Sequence, residues 1–285
     1  MNDRAALHSD ALVRYFAYGS NLDQVRMLRR CPGARVVGAA ELRDHRLVFA
    51  GRSRMWDGAV ATVRPGEGAV SGLLYELDAY TLGQLDRFEG APRWYRRVVR
   101  TVYTRDGEAV EASLYELASE VPLAEPQPDY VRIIVHGLLA LDLPIDPVLE
   151  ATWTAPTGTL PEHRVFVYGT LLADETNASN LRGAARVGMA RTTPDFQLVD
   201  LSLYPALLTG GNQSVLGEVY AVDAETLAAL DVFEGVPTLY HRDRVALVGG
   251  RSVELYIYAQ QAPHGRPIVC GDWRWHRRRT TIRAR

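Results

Sequence analysis

Two short stretches of this sequence hold residue types that can do chemistry, and each occurs twice. Tyr18-Gly19-Ser20 ends the run that begins at Val13, and Tyr168-Gly169-Thr170 ends the run that begins at Arg164. A glycine after a strand lets the backbone turn sharply and present successive N–H groups to an anion or a developing oxyanion. Phe88-Glu89-Gly90 and Phe233-Glu234-Gly235 each place a carboxylate where a helix is predicted to end. The negative end of the helix macrodipole disfavours the ionised form there and raises the pKa, which suits a group exchanging protons near neutrality. A tyrosine follows each Glu six residues on, at Tyr95 and Tyr240. Asp86 and Asp231, one turn earlier, read as helix-surface residues. Taken singly, Tyr-Gly-Ser also marks a tight turn and a helix-end Glu is ordinary. Recurrence in one local setting is what singles these residues out.

Composition removes competing chemistries. All 32 basic residues are Arg, which excludes a Schiff-base lysine, a P-loop lysine and a Ser–Lys dyad. Two cysteines, Cys31 and Cys270, are too few for a disulfide framework or a four-ligand zinc site. No two of the seven His lie three or four apart, so no helical metal pair is offered. The net charge is −2 and the pI about 6.4, which argues against a polyanionic partner. With 47% hydrophobic residues, no secretory h-region and no apolar run of membrane-spanning length, the reading is a soluble, cytoplasmic chain without a membrane partner.

The elements that must position these groups are themselves repeated. Val70-Ser71-Gly72-Leu73-Leu74-Tyr75-Glu76-Leu77-Asp78 returns as Val215-Leu216-Gly217-Glu218-Val219-Tyr220-Ala221-Val222-Asp223. The match continues through Leu82, Leu85 and Phe88 against Leu227, Leu230 and Phe233. Tyr18 and Glu89 are 71 residues apart (89 − 18), and Tyr168 and Glu234 are 66 apart (234 − 168). That period is too long for a solenoid and describes a duplicated domain. The proline-rich stretch 144–161 places the joint near residue 157, with domains over 10–156 and 162–275 and an Arg-rich tail over 276–285. Within each copy a strand ends at the glycine turn, and a short helix runs from an N-cap Asp78 or Asp223 to a C-cap Gly90 or Gly235. Hairpins are predicted around Arg64-Pro65-Gly66-Glu67-Gly68 and around Asp106-Gly107. The fold class is α+β, with several strands around a small sheet or barrel and one short central helix.

These motifs carry a family resemblance. Phe16-Ala17-Tyr18-Gly19-Ser20-Asn21-Leu22, Trp56-Asp57-Gly58-Ala59-Val60-Ala61-Thr62-Val63, Phe88-Glu89-Gly90 and Pro128-Asp129-Tyr130-Val131-Arg132-Ile133-Ile134 resemble γ-glutamylcyclotransferases. Val165-Phe166-Val167-Tyr168-Gly169-Thr170-Leu171, Phe233-Glu234-Gly235-Val236-Pro237, Tyr240 and Gly271-Asp272-Trp273 resemble the related γ-glutamylamine cyclotransferases. The resemblance implies two tandem domains, each a small mixed β-barrel with flanking short helices and a cavity at one end, and no cofactor or metal. It also implies a 5-oxoproline-forming reaction on a small γ-glutamyl substrate, in which the substrate's own α-amine is the nucleophile. Glu89 and Glu234 match the family's catalytic glutamate. By motif position, Tyr18, Gly19, Ser20, Asn21 and Leu22 line the glutamyl pocket of the first half, and Tyr168, Gly169, Thr170 and Leu171 that of the second. Tyr95 and Tyr240, with Tyr115 and Tyr258 on the later hairpin strand, are the expected hydrogen-bonding walls. The second half departs from the first in having Leu171 where Asn21 stands, in lacking the Trp56 loop, and in lacking a clear counterpart of the closing helix.

Two other readings stand beside this one. One half is active and the other is a structural or ligand-sensing relic. Or the aromatic and basic run from Trp273 to Arg279, with Arg283 and Arg285, contacts nucleic acid; the near-zero net charge weighs against it, and a solvated, frayed tail is the plainer expectation.

Overall fold

A computed structural model describes residues 12–153, 159–260 and 264–283. The joint expected near residue 157, the start of the first expected domain and the last Arg of the tail lie outside the described residues. The chain divides into two compact units, Met1–Ala151 and Thr152–Arg285.

Unit 1 runs β1 (Val13–Ala17), a 3-10 turn (Ser20–Leu22), α1 (Gln24–Arg30), β2 (Arg35–Ser53), β3 (Gly58–Leu77), α2 (Ala79–Glu89), β4 (Tyr95–Thr104), β5 (Ala109–Leu117), α3 (Pro128–Leu139) and α4 (Asp146–Ala151). Its strands close into a barrel in the order β1-β3-β2-β4-β5. Parallel contact of β1 with β5 at Tyr15 and Ser113 makes the closure. The predicted hairpin around Asp106-Gly107 joins β4 to β5, with Gly107 at φ 81°.

The hairpin predicted at Arg64–Gly68 does not form. Residues 58–77 are one strand, and both of its ends pair with β2 rather than with each other. The Pro-Gly stretch is taken up as a bulge, where the register slips between Arg43–Ala69 and His45–Pro65. A proline lacking its N–H is tolerated at such a bulge, so a turn signature in sequence is not proof of a chain reversal. The chain reverses earlier, between Ser53 and Gly58.

Unit 2 runs β6 (His163–Val167), a 3-10 turn (Ala178–Leu181), β7 (Ala185–Arg191), β8 (Phe196–Asp200), β9 (Pro205–Thr209), β10 (Leu216–Val222), α5 (Ala224–Phe233), β11 (Tyr240–Ala246), β12 (Ser252–Tyr258), β13 (Arg266–Pro267) and α6 (Trp273–Arg283). The long strands β2 and β3 are here broken in two. β7 and β10 join a five-stranded sheet of order β11-β12-β6-β10-β7, while β8 and β9 form a separate sheet with β13. Beyond its two outer strands, the five-stranded sheet is bridged at Thr192 and Leu247.

One packing detail recurs. A Cβ at Gly72 would lie 2.5 Å from Phe16 Cζ, and one at Gly217 would lie 2.5 Å from Phe166 Cζ. Only glycine leaves room for these fully buried rings across the neighbouring strand. Over the Arg-rich tail expected at 276–285, residues 277–280 are exposed but helical: α6 runs from the fully buried Trp273 as far as Arg283. Arg274 Nε meets Glu175 at 3.2 Å and His276 Nε2 meets Asp200 at 2.9 Å. Of the aromatic and basic run that suggested contact with nucleic acid, Trp273 and Arg274 thus lie in the interior of unit 2. No helix among the described residues is long and apolar enough to cross a membrane.

Candidate active site

Each candidate carboxylate is delivered by the helix that the sequence predicts. Asp78 accepts from Thr81 N–H at 2.7 Å and Asp223 from Thr226 N–H at 2.8 Å, starting α2 and α5. Leu82 and Leu85, and likewise Leu227 and Leu230, are buried one turn apart and fix which way each helix faces. Glu89 is the last residue of α2 and Glu234 follows α5 directly, ahead of Gly90 and Gly235, both at φ 65°.

In unit 1 the Glu89 carboxylate shares a cavity of about 40 Å³ with Tyr15, Tyr18, Gly19, Ser20, Asn21, Ala61, Tyr95, Tyr115 and Tyr130. Asn21 Nδ2 donates to Glu89 Oε1 and to the Tyr15 phenol, both at 2.9 Å. Arg30 Nη1 donates to Asn21 Oδ1 at 3.1 Å and lies 3.4 Å from Glu89 Oε1. The guanidinium on one side and the carboxylate on the other fix which way the amide is turned. Both contacts fall on Oε1. Burial pushes the Glu89 pKa up, while Asn21, Arg30 and Arg26 oppose the rise.

In unit 2 Glu234 shares a cavity of about 210 Å³ with Phe166, Val167, Tyr168, Gly169, Thr170, Leu171, Asn177, Tyr204, Pro205, Phe233, Leu239, Tyr240 and Tyr256. Leu171 takes the place of Asn21 and brings no amide. Burial alone pushes the Glu234 pKa up to about 7. In both units desolvation on burial is the largest cause of the raised carboxyl pKa.

The walls repeat bond by bond. Tyr95 donates to Ala61 C=O at 2.9 Å, and Tyr240 to Pro205 C=O at 3.1 Å. Tyr18 donates to Tyr115 C=O, and Tyr168 to Tyr256 C=O at 2.7 Å. Tyr115 donates to Asp86 at 2.8 Å and Tyr256 to Asp231 at 2.9 Å. Arg97 meets Asp86 at 2.9 Å, while Arg242 grips Asp231 through Nε and Nη2 at 2.8 and 3.0 Å. Asp86 and Asp231 are therefore not bare surface residues, as their helix positions suggest; each holds a wall tyrosine.

Two further site expectations are corrected. Tyr258 stands opposite Tyr240 in the β11–β12 ladder and donates to Gln260 at 3.2 Å, outside the cavity. The counterpart of Tyr115 is Tyr256, two residues earlier on the same face: Tyr115 pairs with Arg97 as Tyr256 pairs with Arg242. Leu22 is buried against α3, where a Cβ at Gly137 would lie 2.6 Å from its own, and does not line the cavity. The remaining expected pocket residues line their respective cavities.

Sequence reasoning passed over Tyr15, Ala61, Tyr130 and Arg30 in unit 1, and Asn177, Tyr204, Pro205 and Tyr256 in unit 2. Tyr15 precedes the repeated motif but is Val165 in the second copy, so a search for repetition skips it. Tyr130 comes from α3; its phenol accepts from Ala61 N–H at 3.1 Å and lies 3.5 Å from the place of a Cβ on Gly19. In unit 2 the Pro205 ring takes that position, 2.7 Å from the place of a Cβ on Gly169.

Comparison with known proteins adds an independent observation. A family model described as "Gamma-glutamyl cyclotransferase, AIG2-like" matches residues 15–133 and again residues 165–275. A putative gamma-glutamylcyclotransferase of Vibrio cholerae is 44% identical over 112 residues, which is 39% of this chain and 96% of that protein. The gamma-glutamylcyclotransferase of Bos taurus is 33% identical over 141 residues, 46% of this chain and 73% of the bovine protein. A solved structure titled "Gamma-glutamyl cyclotransferase" aligns over 53% of this chain and 93% of its own at 28% identity and TM-score 0.47.

Proposed function

The chain belongs to the gamma-glutamyl cyclotransferase, AIG2-like family, and we propose that each of its units cyclises a γ-glutamyl compound to 5-oxoproline and a free amine or amino acid. What carries this reading is that each unit has a partly buried carboxylate with a raised pKa in one cavity with a glycine turn.

The α-amine of the glutamyl group attacks its own γ-carbonyl, so the protein need not supply a nucleophile. Held in one conformer, the closing five-membered ring benefits from a high effective molarity. Glu89 or Glu234, ionised, takes the proton that the α-ammonium loses as the N–C bond forms. The carbonyl oxygen becomes an oxyanion. In unit 1 the turn's own bonds begin with Leu22 N–H on Gly19 C=O and Asp23 N–H on Ser20 C=O, so the amides of residues 19–21 precede its first donor. In unit 2 the equivalent first donor is Leu172 N–H on Gly169 C=O, leaving residues 169–171 in the same position. These amides are the candidate donors to the oxyanion. The tetrahedral species collapses and the bond to the leaving nitrogen breaks; the ring nitrogen gives up a second proton, and the same carboxyl relays both protons to the leaving nitrogen, which departs as an ammonium. No water is consumed.

The test is release of 5-oxoproline from a panel of γ-glutamyl amino acids and γ-glutamyl amines by wild type, Glu89→Gln, Glu234→Gln and the double variant. The double variant is expected to lose about 10²–10⁴-fold, and each single variant to keep the profile of the other site. Activity that survives the double substitution would falsify the assignment.

A further inference from the structure

The glycine turns of the two units are held in place by different means. In unit 1 the turn passes straight into a helix. Ser20–Leu22 is a 3-10 turn, Asp23 caps α1 by accepting from Arg26 N–H at 3.1 Å, and Tyr75 donates to Asn21 C=O at 3.0 Å. Unit 2 has no α-helix at this point. Residues 170–177 are an irregular loop whose ends meet: Asn177 N–H donates to Thr170 C=O at 2.9 Å, and Asn177 Nδ2 to Thr170 Oγ1 at 3.0 Å. Thr170, Leu171 and Asn177 line the cavity. An irregular loop opens at little cost unless packing or hydrogen bonds tie it down. Amides that are to meet a developing charge must be fixed before that charge arrives.

Two buried side chains outside the cavity tie this loop. Glu218, fully buried on β10, accepts from Ala173 N–H at 3.0 Å and from the Tyr220 phenol at 2.9 Å. Its counterpart in unit 1 is the fully buried Leu73. A carboxylate in that place costs solvation, which the hydrogen bonds it accepts offset. Tyr75 reaches its turn directly, whereas Tyr220 reaches the loop through Glu218. The second tie comes from α6. Arg274, 3% exposed, donates from Nε to Glu175 Oε1 at 3.2 Å. The start of α6 is itself anchored: Leu216 N–H donates to Gly271 C=O at 2.8 Å, Trp273 is fully buried, and Asp272 accepts from Trp275 N–H at 3.2 Å. We infer that Arg274 is a positioning residue of the second site. Acting through Glu175, beside Glu218 through Ala173, it sets the loop and with it the amides of residues 169–171. The helix α6 thereby serves the cavity of its own unit, although Arg274 does not line it. Amides aimed at the oxyanion act on the transition state more than on bound substrate, so a lost tie lowers kcat and leaves KM nearly as it was.

What the loop does for the reaction rests on the cyclotransferase reading; whether Arg274 holds the loop does not. Hydrogen–deuterium exchange of the full chain needs no substrate. In Arg274→Met and in Glu175→Gln, exchange across residues 170–177 is expected to rise about tenfold or more while β6 and β10 keep the wild-type rate. Exchange that stays at the wild-type rate, that rises equally in β6 and β10, or that is already unprotected in wild type overturns the positioning role. Turnover is then read in Glu89→Gln protein, where Glu234 alone works. Arg274→Met and Glu175→Gln should each lower kcat about 10–100-fold with KM little changed. The double substitution should be no worse than either single one, because both remove one tie. Arg274→Lys, which keeps the charge but not the planar fork, should retain part of the rate. A rise in KM at unchanged kcat, additive losses, or an equal loss when Arg274→Met is placed in Glu234→Gln protein also overturns it. If the loop loosens as expected and wild type forms no 5-oxoproline, the cyclisation falls and the positioning of the loop stands. If wild type forms 5-oxoproline and the loop's exchange does not move, the reverse holds.

Discussion

Glu89 and Glu234 hold the same position relative to their helices, yet their surroundings differ in a way that titration can read. Glu89 has an amide and a guanidinium on one oxygen, both favouring the ionised form; Glu234 is raised by burial alone, to about 7. A base must be ionised to act, so kcat/KM at the second site should fall as pH drops below about 7. It is measured with Glu89→Gln protein, in which only Glu234 remains. In Glu234→Gln protein, Arg30→Met or Asn21→Leu removes a group that stabilises ionised Glu89. The acidic limb of the first site should then move to higher pH, and an unmoved limb would show that these contacts do not govern the carboxylate. Both glutamates and the paired Tyr95 and Tyr240 were legible in the sequence because they recur at fixed spacing from a glycine. Arg30 was not: it lies 59 residues from Glu89 and reaches it only through the packing of α1 beside α2.

Among the elements, the strand carrying the glycine turn depends on the glycine opposite it. Gly72 and Gly217 face Phe16 and Phe166, and a Cβ at either would lie 2.4 Å or 2.3 Å from a carbonyl oxygen of the turn strand as well. Gly72→Ala is expected to destabilise unit 1, and Gly217→Ala unit 2, by about 1–3 kcal/mol, measured by chemical denaturation. The displaced strand should also lower activity at the corresponding site. A wild-type unfolding midpoint would mean that the strands separate without cost. The helices α2 and α5 were readable from their Asp caps and glycine ends, because those signals are local. The long hairpin β2–β3 was misread at Pro65-Gly66, because a bulge and a turn use the same residues and only pairing with β2 decides between them.

For the whole molecule, the consequence of duplication is two cavities in one chain, each lined by residues of its own unit and differing in volume, about 40 against 210 Å³. Sites with no shared lining residues should act independently. At low concentrations of a substrate taken by both, the kcat/KM values of Glu89→Gln and Glu234→Gln are expected to sum to that of wild type. The wider second cavity should accept the bulkier leaving amines. A sum well below the wild-type value would reveal coupling between the sites. The sequence by itself determined that the fold occurs twice, where each carboxylate-bearing helix starts and stops, and which motif each half repeats. All of these are written in local spacing, and local spacing survives in a one-dimensional string. Only the tertiary structure decided which tyrosines give their protons away, that Tyr256 rather than Tyr258 forms the wall, that Asp86 and Asp231 hold those walls, and that Trp273 anchors a helix rather than a loose tail. Those outcomes depend on partners up to 97 residues distant. A hydrogen bond's direction and a side chain's burial belong to the pair of groups that meet, and neither residue carries them alone.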